Sequence, residues 1–155
     1  MKRISIVIPT QNHLEDCLKP CLTSIIQYTN LKNVEIIVVA NGCTDETKEY
    51  VENLGDSFKL LWFDEALGYT KAVNEGIKVS EGEYVILLNN DIRLLDQDKH
   101  AWIKMLMDPF KESKKTGITG PSKKWEQSIK KSFMIFFCVM IKRVVIDEIG
   151  LLDEL

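Results

Sequence analysis

Apolar residues in this chain fall into two alternating kinds of block: short continuous runs, and longer stretches with helical period. Residues 3–8 form the first run and stop at Pro9-Thr10. Leu14, Leu18, Leu22, Ile25 and Ile26 then recur three or four apart up to Tyr28, which predicts a strand, a loop and a helix. A second apolar run, 34–39, ends at Asn41-Gly42, where glycine permits a tight turn. Thr44 follows as the expected N-cap of a helix, with Asp45 and Glu46 placed favourably against its dipole. Phe58–Phe63 predicts a third strand, Gly68 opens a helix to Val79, and Gly82 separates it from a fourth strand, Tyr84–Leu88. A further helix is expected within 96–110, with Trp102, Met105 and Leu106 on its inner face and Pro109 at its end. Beyond it come a short strand at Ile118–Thr119, a polar loop over 122–132, an apolar strand over 133–141 and a last helix over Arg143–Ile149.

Strands that alternate with helices imply a mostly parallel sheet covered on both faces, an α/β three-layer sandwich. With 155 residues and an apolar fraction of 45%, the chain has material for one domain with a substantial core. Its formal charge of −3 provides no polybasic field, so nucleic acid is not the expected partner. Lys111, Lys114, Lys115, Lys123, Lys124, Lys130 and Lys131 form the local exception. They read as a solvated face, with peripheral contact to a membrane surface or an anionic acceptor as the alternative. The run 133–141 falls far short of the eighteen or so residues that a spanning helix needs. Cys17, Cys21, Cys43 and Cys138 make no CxxC pair and no secreted-type framework, which points to structural thiols in a reducing, cytoplasmic compartment. Cys17 and Cys21 could share a helix face, but His13 and His100 are not spaced to complete a zinc site with them.

Three polar clusters sit at predicted strand ends: Pro9-Thr10-Gln11-Asn12, the run from Ala40-Asn41-Gly42 to Asp45, and Asn89-Asn90-Asp91. Right-handed crossovers would bring those ends to one edge of the sheet, where open α/β sheets bind ligands. Asp91 is the leading candidate for a metal ligand, because a carboxylate at the tip of a buried strand suits a hard divalent cation that also recruits phosphate. Turn chemistry alone would account for Asn89-Asn90-Asp91 if it stood by itself. Neither GxxxxGK[ST] nor GxGxxG occurs, which removes a P-loop kinase and a Rossmann dehydrogenase. The Pro9-Thr10-Gln11-Asn12 segment likewise lacks the glycine-rich, arginine-containing loop of a sugar-nucleotide pyrophosphorylase.

Taken together, the chain resembles glycosyltransferase family 2, whose donor domain has the GT-A fold. The matching pieces are Ser5-Ile6-Val7-Ile8-Pro9-Thr10 with Asn12, the run from Glu35 through Val39 to Asn41-Gly42-Cys43-Thr44-Asp45, and Leu67-Gly68 through Asn74-Glu75-Gly76-Ile77. To these add Gly82-Glu83-Tyr84-Val85 into Leu88-Asn89-Asn90-Asp91, and Ile141-Lys142-Arg143 into Gly150-Leu151-Leu152-Asp153-Glu154. The resemblance implies a sugar transferase, inverting, that uses a nucleotide-diphosphate sugar donor, Mg²⁺ or Mn²⁺, and a glycan or other hydroxyl acceptor. It implies that Pro9, Thr10, Asn12, Asn41 and Gly42 line the nucleoside pocket, and that Gly68, Lys71 and Asn74 flank base and diphosphate. Asn89, Asn90 and Asp91 would stand for the family's Asp-x-Asp element, with Asp91 holding the cation. A cell-surface glycan as product, made at the inner face of the membrane, is likewise an implication of the family.

Two departures from the family pattern bear on function. Ala40 stands where the family usually has an acidic residue that fixes the base, which leaves the donor open. The general base commonly lies downstream of the Gly150 to Glu154 element. Either the chain is therefore the donor-binding portion of a longer enzyme, truncated at its C-terminal side, or Asp153 or Glu154 supplies the base. A non-catalytic nucleotide-sugar binding or assembly module is the competing reading. Trp62 and Trp102 are expected in the core, whereas Trp125, in the polar loop, is a candidate acceptor contact.

Overall fold

The computed structural model describes residues 4–121 and 136–154. Trp125, the lysines at 123, 124, 130 and 131, the loop expected over 122–132 and the start of the strand expected at 133 lie outside the described residues. The described residues contain β1 (Ile4–Thr10), a π-helical turn (Leu14–Leu18) running into α1 (Lys19–Tyr28), a 3₁₀ turn (Leu31–Asn33), β2 (Val34–Asn41), α2 (Thr47–Glu52), β3 (Phe58–Phe63), α3 (Tyr69–Val79), β4 (Tyr84–Leu88), α4 (Ala101–Glu112), β5 (Ile118–Thr119), β6 (Cys138–Lys142) and α5 (Arg143–Ile149). The sheet has the order β3-β2-β1-β4-β6-β5. The first four strands of that order are parallel, and β6 runs antiparallel to both β4 and β5.

Alternation of side chains along each strand sorts the apolar residues into two cores. Ile4, Ile6 and Ile8 of β1, with Ile36 and Val38 of β2 and Ile86 and Leu88 of β4, pack under α1, α2 and α4. Val7, Ile37, Val39, Val85 and Leu87 face the other way and are covered by Ala72, Val73 and Ile77 of α3 and Ile146 of α5. Because both faces are covered, β1 and β2 read as unbroken apolar runs rather than alternating ones. The chain steps outward from β1 to β2 to β3, then returns through α3 on the opposite face to place β4 on the other side of β1. That reversal opens a crevice at the C-terminal ends of β1 and β4.

Four expectations are corrected. Thr44 does not cap α2, which begins at Thr47; the Asp45 carboxylate instead accepts from the Thr47 amide at 3.2 Å and hydroxyl at 2.6 Å, a tighter local arrangement than a threonine cap offers. Pro109 does not end α4, which continues to Glu112 because Leu106 and Phe110 on either side of it dock into the core. Met105, expected inside, is 65% exposed, since the inward stripe of α4 runs through Trp102, Ile103, Leu106 and Phe110. Trp62 is half-buried in β3, where its Nε1 donates to Asp64 and Lys48 lies over its ring, whereas Trp102 is in the core as expected.

Candidate functional site

At the C-terminal ends of β1, β2 and β4 lies a cleft of about 340 Å³ lined by Pro9, Thr10, Gln11, His13, Cys17, Asn41, Gly68, Tyr69, Asn90 and Asp91. Its floor is a hydrogen-bonded lattice that ties the three strand ends together. Asn90 Nδ2 donates to Thr10 Oγ1 at 2.9 Å, and Thr10 Oγ1 donates to the Asn12 carbonyl at 3.2 Å. Asn12 Oδ1 accepts from the Thr44 amide at 2.7 Å, the Thr44 hydroxyl at 3.3 Å and the Asp45 amide at 3.3 Å, fastening the loop after β1 to the loop after β2. Beneath them the buried Cys43 thiol donates to the Thr10 carbonyl and receives the Asn12 amide. Asn41 Oδ1 accepts from the Leu67 amide at 2.6 Å and so draws in the segment that leads to Gly68.

Glycine is required at the mouth. Gly42 has φ +74, and a Cβ there would meet the Ala66 backbone nitrogen at 2.7 Å, so the two loops close only around a residue without a side chain. Gly68, at φ +83, precedes the first turn of α3 and lines the cleft together with Tyr69. Tyr69, 45% exposed, donates its hydroxyl to Asn89 Oδ1 at 3.4 Å, and partial burial pushes its phenol up.

Asp91 is exposed on the rim, and among the described residues no group is hydrogen-bonded or ion-paired to its carboxylate. Its neighbours in the cleft contribute amide and hydroxyl oxygens from Gln11, Asn41, Asn90, Thr10 and Tyr69, besides the His13 imidazole and the Cys17 thiol. An unengaged carboxylate among neutral oxygen donors fits Mg²⁺ or Mn²⁺, which would complete its shell with phosphate and water.

Of the residues singled out in the sequence, Pro9, Thr10, Asn41, Gly68, Asn90 and Asp91 line the cleft. Asn12 and Gly42 shape it from behind, and Asn89 reaches it through Tyr69. Ala40 is fully buried within β2 and presents no side-chain donor or acceptor. Lys71 is exposed on α3. Asn74 is 1% exposed and holds the C-terminal segment: its Nδ2 donates to the Leu152 carbonyl at 2.9 Å and Glu154 Oε1 at 2.8 Å, and its Oδ1 accepts from the Leu152 amide at 3.0 Å. Neither Asp153 nor Glu154 is among the residues lining the cleft. Sequence reasoning missed Tyr69, His13 and Cys17 as cleft residues. Tyr69 follows the glycine that opens α3, and His13 and Cys17 are four apart, which were the available signals. Cys21 is buried and, among the described residues, forms no ligand group with either histidine, whereas ligand atoms of His13, Asp16 and Cys17 lie within 4.8 Å of one another, next to the left-handed backbone at Asn12 and His13.

The sheet order and the crevice at the ends of β1 and β4 are those of the GT-A fold. The family model described as Glycosyl transferase family 2 matches residues 5–135, and the chain belongs to that family. It is 34% identical over 91 residues to Glycosyltransferase GlyA of Streptococcus pneumoniae, covering 57% of this chain and 13% of that protein. It is 35% identical over 92 residues to Glycosyltransferase AglE of Haloferax volcanii, covering 57% of this chain and 30% of that protein. Among solved structures, the mannosyltransferase PcManGT from Pyrobaculum calidifontis, in complex with GDP-Man and Mn²⁺, superposes with a TM-score of 0.74 at 19% identity, covering 97% of this chain and 47% of that one. S. aureus TarS 1-349 in complex with UDP-GlcNAc gives a TM-score of 0.72 at 17% identity, covering 94% and 47% respectively. The chain thus spans less than a third of the two curated relatives and about half of these solved chains. Among the described residues no helix is long and apolar enough to cross a membrane.

Proposed function

We propose that this chain is the donor-binding part of an inverting glycosyltransferase that takes a nucleotide-diphosphate sugar together with Mg²⁺ or Mn²⁺ and passes the sugar to a hydroxyl of a glycan or similar acceptor. The observation that carries this reading is the convergence of Thr10, Asn41, Gly68, Asn90 and the unengaged Asp91 carboxylate on one crevice. Pro9, Thr10 and Asn41 are the walls for the nucleoside, held in place by the lattice through Asn12. The amides at the start of α3, behind Gly68, face the diphosphate. Asp91 holds the cation, with Asn89 and Asn90 orienting the loop that bears it, and Lys71 stands in the first turn of α3.

Cleavage of the bond between the anomeric carbon and phosphate leaves negative charge on the departing nucleoside diphosphate, and the cation supplies stabilisation of that charge. The chain's own residues fix the donor so that the face opposite the leaving group is open to the acceptor. Within these residues Asp153 and Glu154 are the candidates for the base that takes the acceptor proton. Ala40 leaves the base ring without an acidic partner, so selection among nucleotides rests on the walls of the pocket.

Calorimetry with UDP and GDP, each with and without Mn²⁺, tests the reading. Binding should require the metal, and Asp91→Asn should weaken it tenfold or more, about 1.4 kcal/mol for each factor of ten. Nucleotide affinity indifferent to Mn²⁺, or unchanged in Asp91→Asn, would overturn the metal assignment. Release of free nucleoside diphosphate in the presence of an acceptor distinguishes a transferase from a module that only binds.

A further inference from the structure

At the entrance of helix α1 a second cluster of ligating groups, His13, Asp16 and Cys17, borders the same cleft as the strand-end carboxylate of Asp91. Ligand atoms of His13, Asp16 and Cys17 all lie within 4.8 Å of one another, a cluster that does not include Asp91. His13 Nδ1 is 3.1 Å from Asp16 Oδ2. The amide of Cys17 donates to the carbonyl of His13 at 3.0 Å, so the backbone fixes how the two side chains sit relative to each other. His13 adopts φ +59 without making a side-chain cap, an unusual conformation for a residue with a Cβ.

We propose that His13, Asp16 and Cys17 form a site for a thiophilic divalent cation of the zinc class, separate from the hard-cation position at Asp91. The donor set is one imidazole nitrogen, one carboxylate oxygen and one thiolate sulfur, which zinc accepts at about 2.0–2.3 Å each. Tetrahedral ligands at those lengths stand about 3.3–3.8 Å apart, so the observed spread needs only small side-chain rotations to close. Mg²⁺ and Mn²⁺ prefer oxygen, and sulfur directs the choice away from them. The other three cysteines are buried in the core, which leaves Cys17, half-buried on the cleft wall, as the accessible thiol. Asp16 and Asp91 both lie close enough to Cys17 to act on it electrostatically, with the Arg93 cation opposing them. Three protein ligands leave a fourth position for water or for a group entering the cleft, as in open zinc sites.

Cobalt substitution reads this site directly, without any sugar donor. Titration of the purified chain with Co²⁺ should develop a near-ultraviolet sulfur-to-metal charge-transfer band that saturates at one equivalent and disappears on addition of Zn²⁺. Cys17→Ser should abolish the band, His13→Ala should weaken Co²⁺ binding tenfold or more, and Asp91→Asn should leave it in place, all with unchanged far-ultraviolet circular dichroism. Should Cys17→Ser fail to fold, alkylation of the wild-type thiol by iodoacetamide is expected to slow at least tenfold with Zn²⁺. Absence of the band, its survival in Cys17→Ser, or an alkylation rate indifferent to Zn²⁺ would overturn the proposal. Loss of the band in Asp91→Asn would instead mean that there is a single shared cation site, and the separation proposed here would be wrong.

Discussion

Asn12 sits at φ +58, where a residue with a Cβ is strained, and it spends its side-chain oxygen on three donors of the loop after β2. Asparagine tolerates that backbone better than most residues because its short amide can bond locally. Replacement by alanine removes all three contacts and keeps the strain. Asn12→Ala is expected to cost about 2 kcal/mol in urea unfolding and to weaken nucleotide binding as the loops part. Asn74→Ala should cost a comparable amount, about 2 kcal/mol, because it strips partners from the Leu152 amide and carbonyl. At this scale the sequence was half legible. Asn12, Asn41, Asn74 and Asn90 all stand out as polar residues at strand ends or on a helix, and residue type marks them as important. What it does not show is that each one also fastens structure, since their partners lie 26 to 80 residues away in the chain.

Elements were the most legible level, because the period of the apolar residues is a local signal. Phe58–Phe63 and Tyr84–Leu88 fall where the pattern puts them. The errors sit where tertiary contacts override local rules: Pro109 is carried inside α4 by the docking of Phe110, whose ring lies 5.4 Å from that of Tyr84. How closely α3 approaches the sheet is likewise invisible in a propensity. A Cβ on Gly76 would collide with Val7 Cγ1 and meet Val39 Cγ2 at 3.0 Å, so this glycine is what allows the helix to lie flat on β1 and β2. Gly76→Ala, a favourable change for an isolated helix, should therefore destabilise the protein by about 1–3 kcal/mol and lower its Tm. A raised Tm would mean that the helix can lift without loss.

Across the whole molecule, the parallel sheet carries one buried charge on its interior strands. Glu35 of β2 is fully buried, accepts from the Ser5 hydroxyl at 2.6 Å and the Glu81 amide at 2.7 Å, and faces Lys59 of β3 at 2.9 Å. Burial pushes its carboxyl up, but the Ser5 hydroxyl, the Glu81 amide and Lys59 together hold it below the usual range. A depressed folded value means that the ionised form stabilises the fold above the unfolded value of about 4.3. That contribution is lost as the pH falls through the folded value. Glu35→Gln should therefore be less stable than wild type at pH 7 and lose less stability on acidification, as followed by thermal unfolding from pH 7 to 3. None of this cluster was foreseen from the sequence, where Glu35 is one acidic residue at the head of an apolar run. The fold class itself was foreseen, because the alternation of strand and helix leaves few topologies that obey the crossover rule.

Among the described residues β3 ends the sheet on one side, so its outer row of peptide groups has no neighbouring strand there. Such a margin invites lateral annealing between molecules, and charge is the usual deterrent. Lys59, 41% exposed, therefore has a second duty besides neutralising Glu35: it makes the apolar ribbon from Phe58 to Phe63 a poor template for another chain. The double replacement Glu35→Gln with Lys59→Val, which strands no charge inside, should aggregate at lower concentrations than Glu35→Gln alone when both are followed by light scattering.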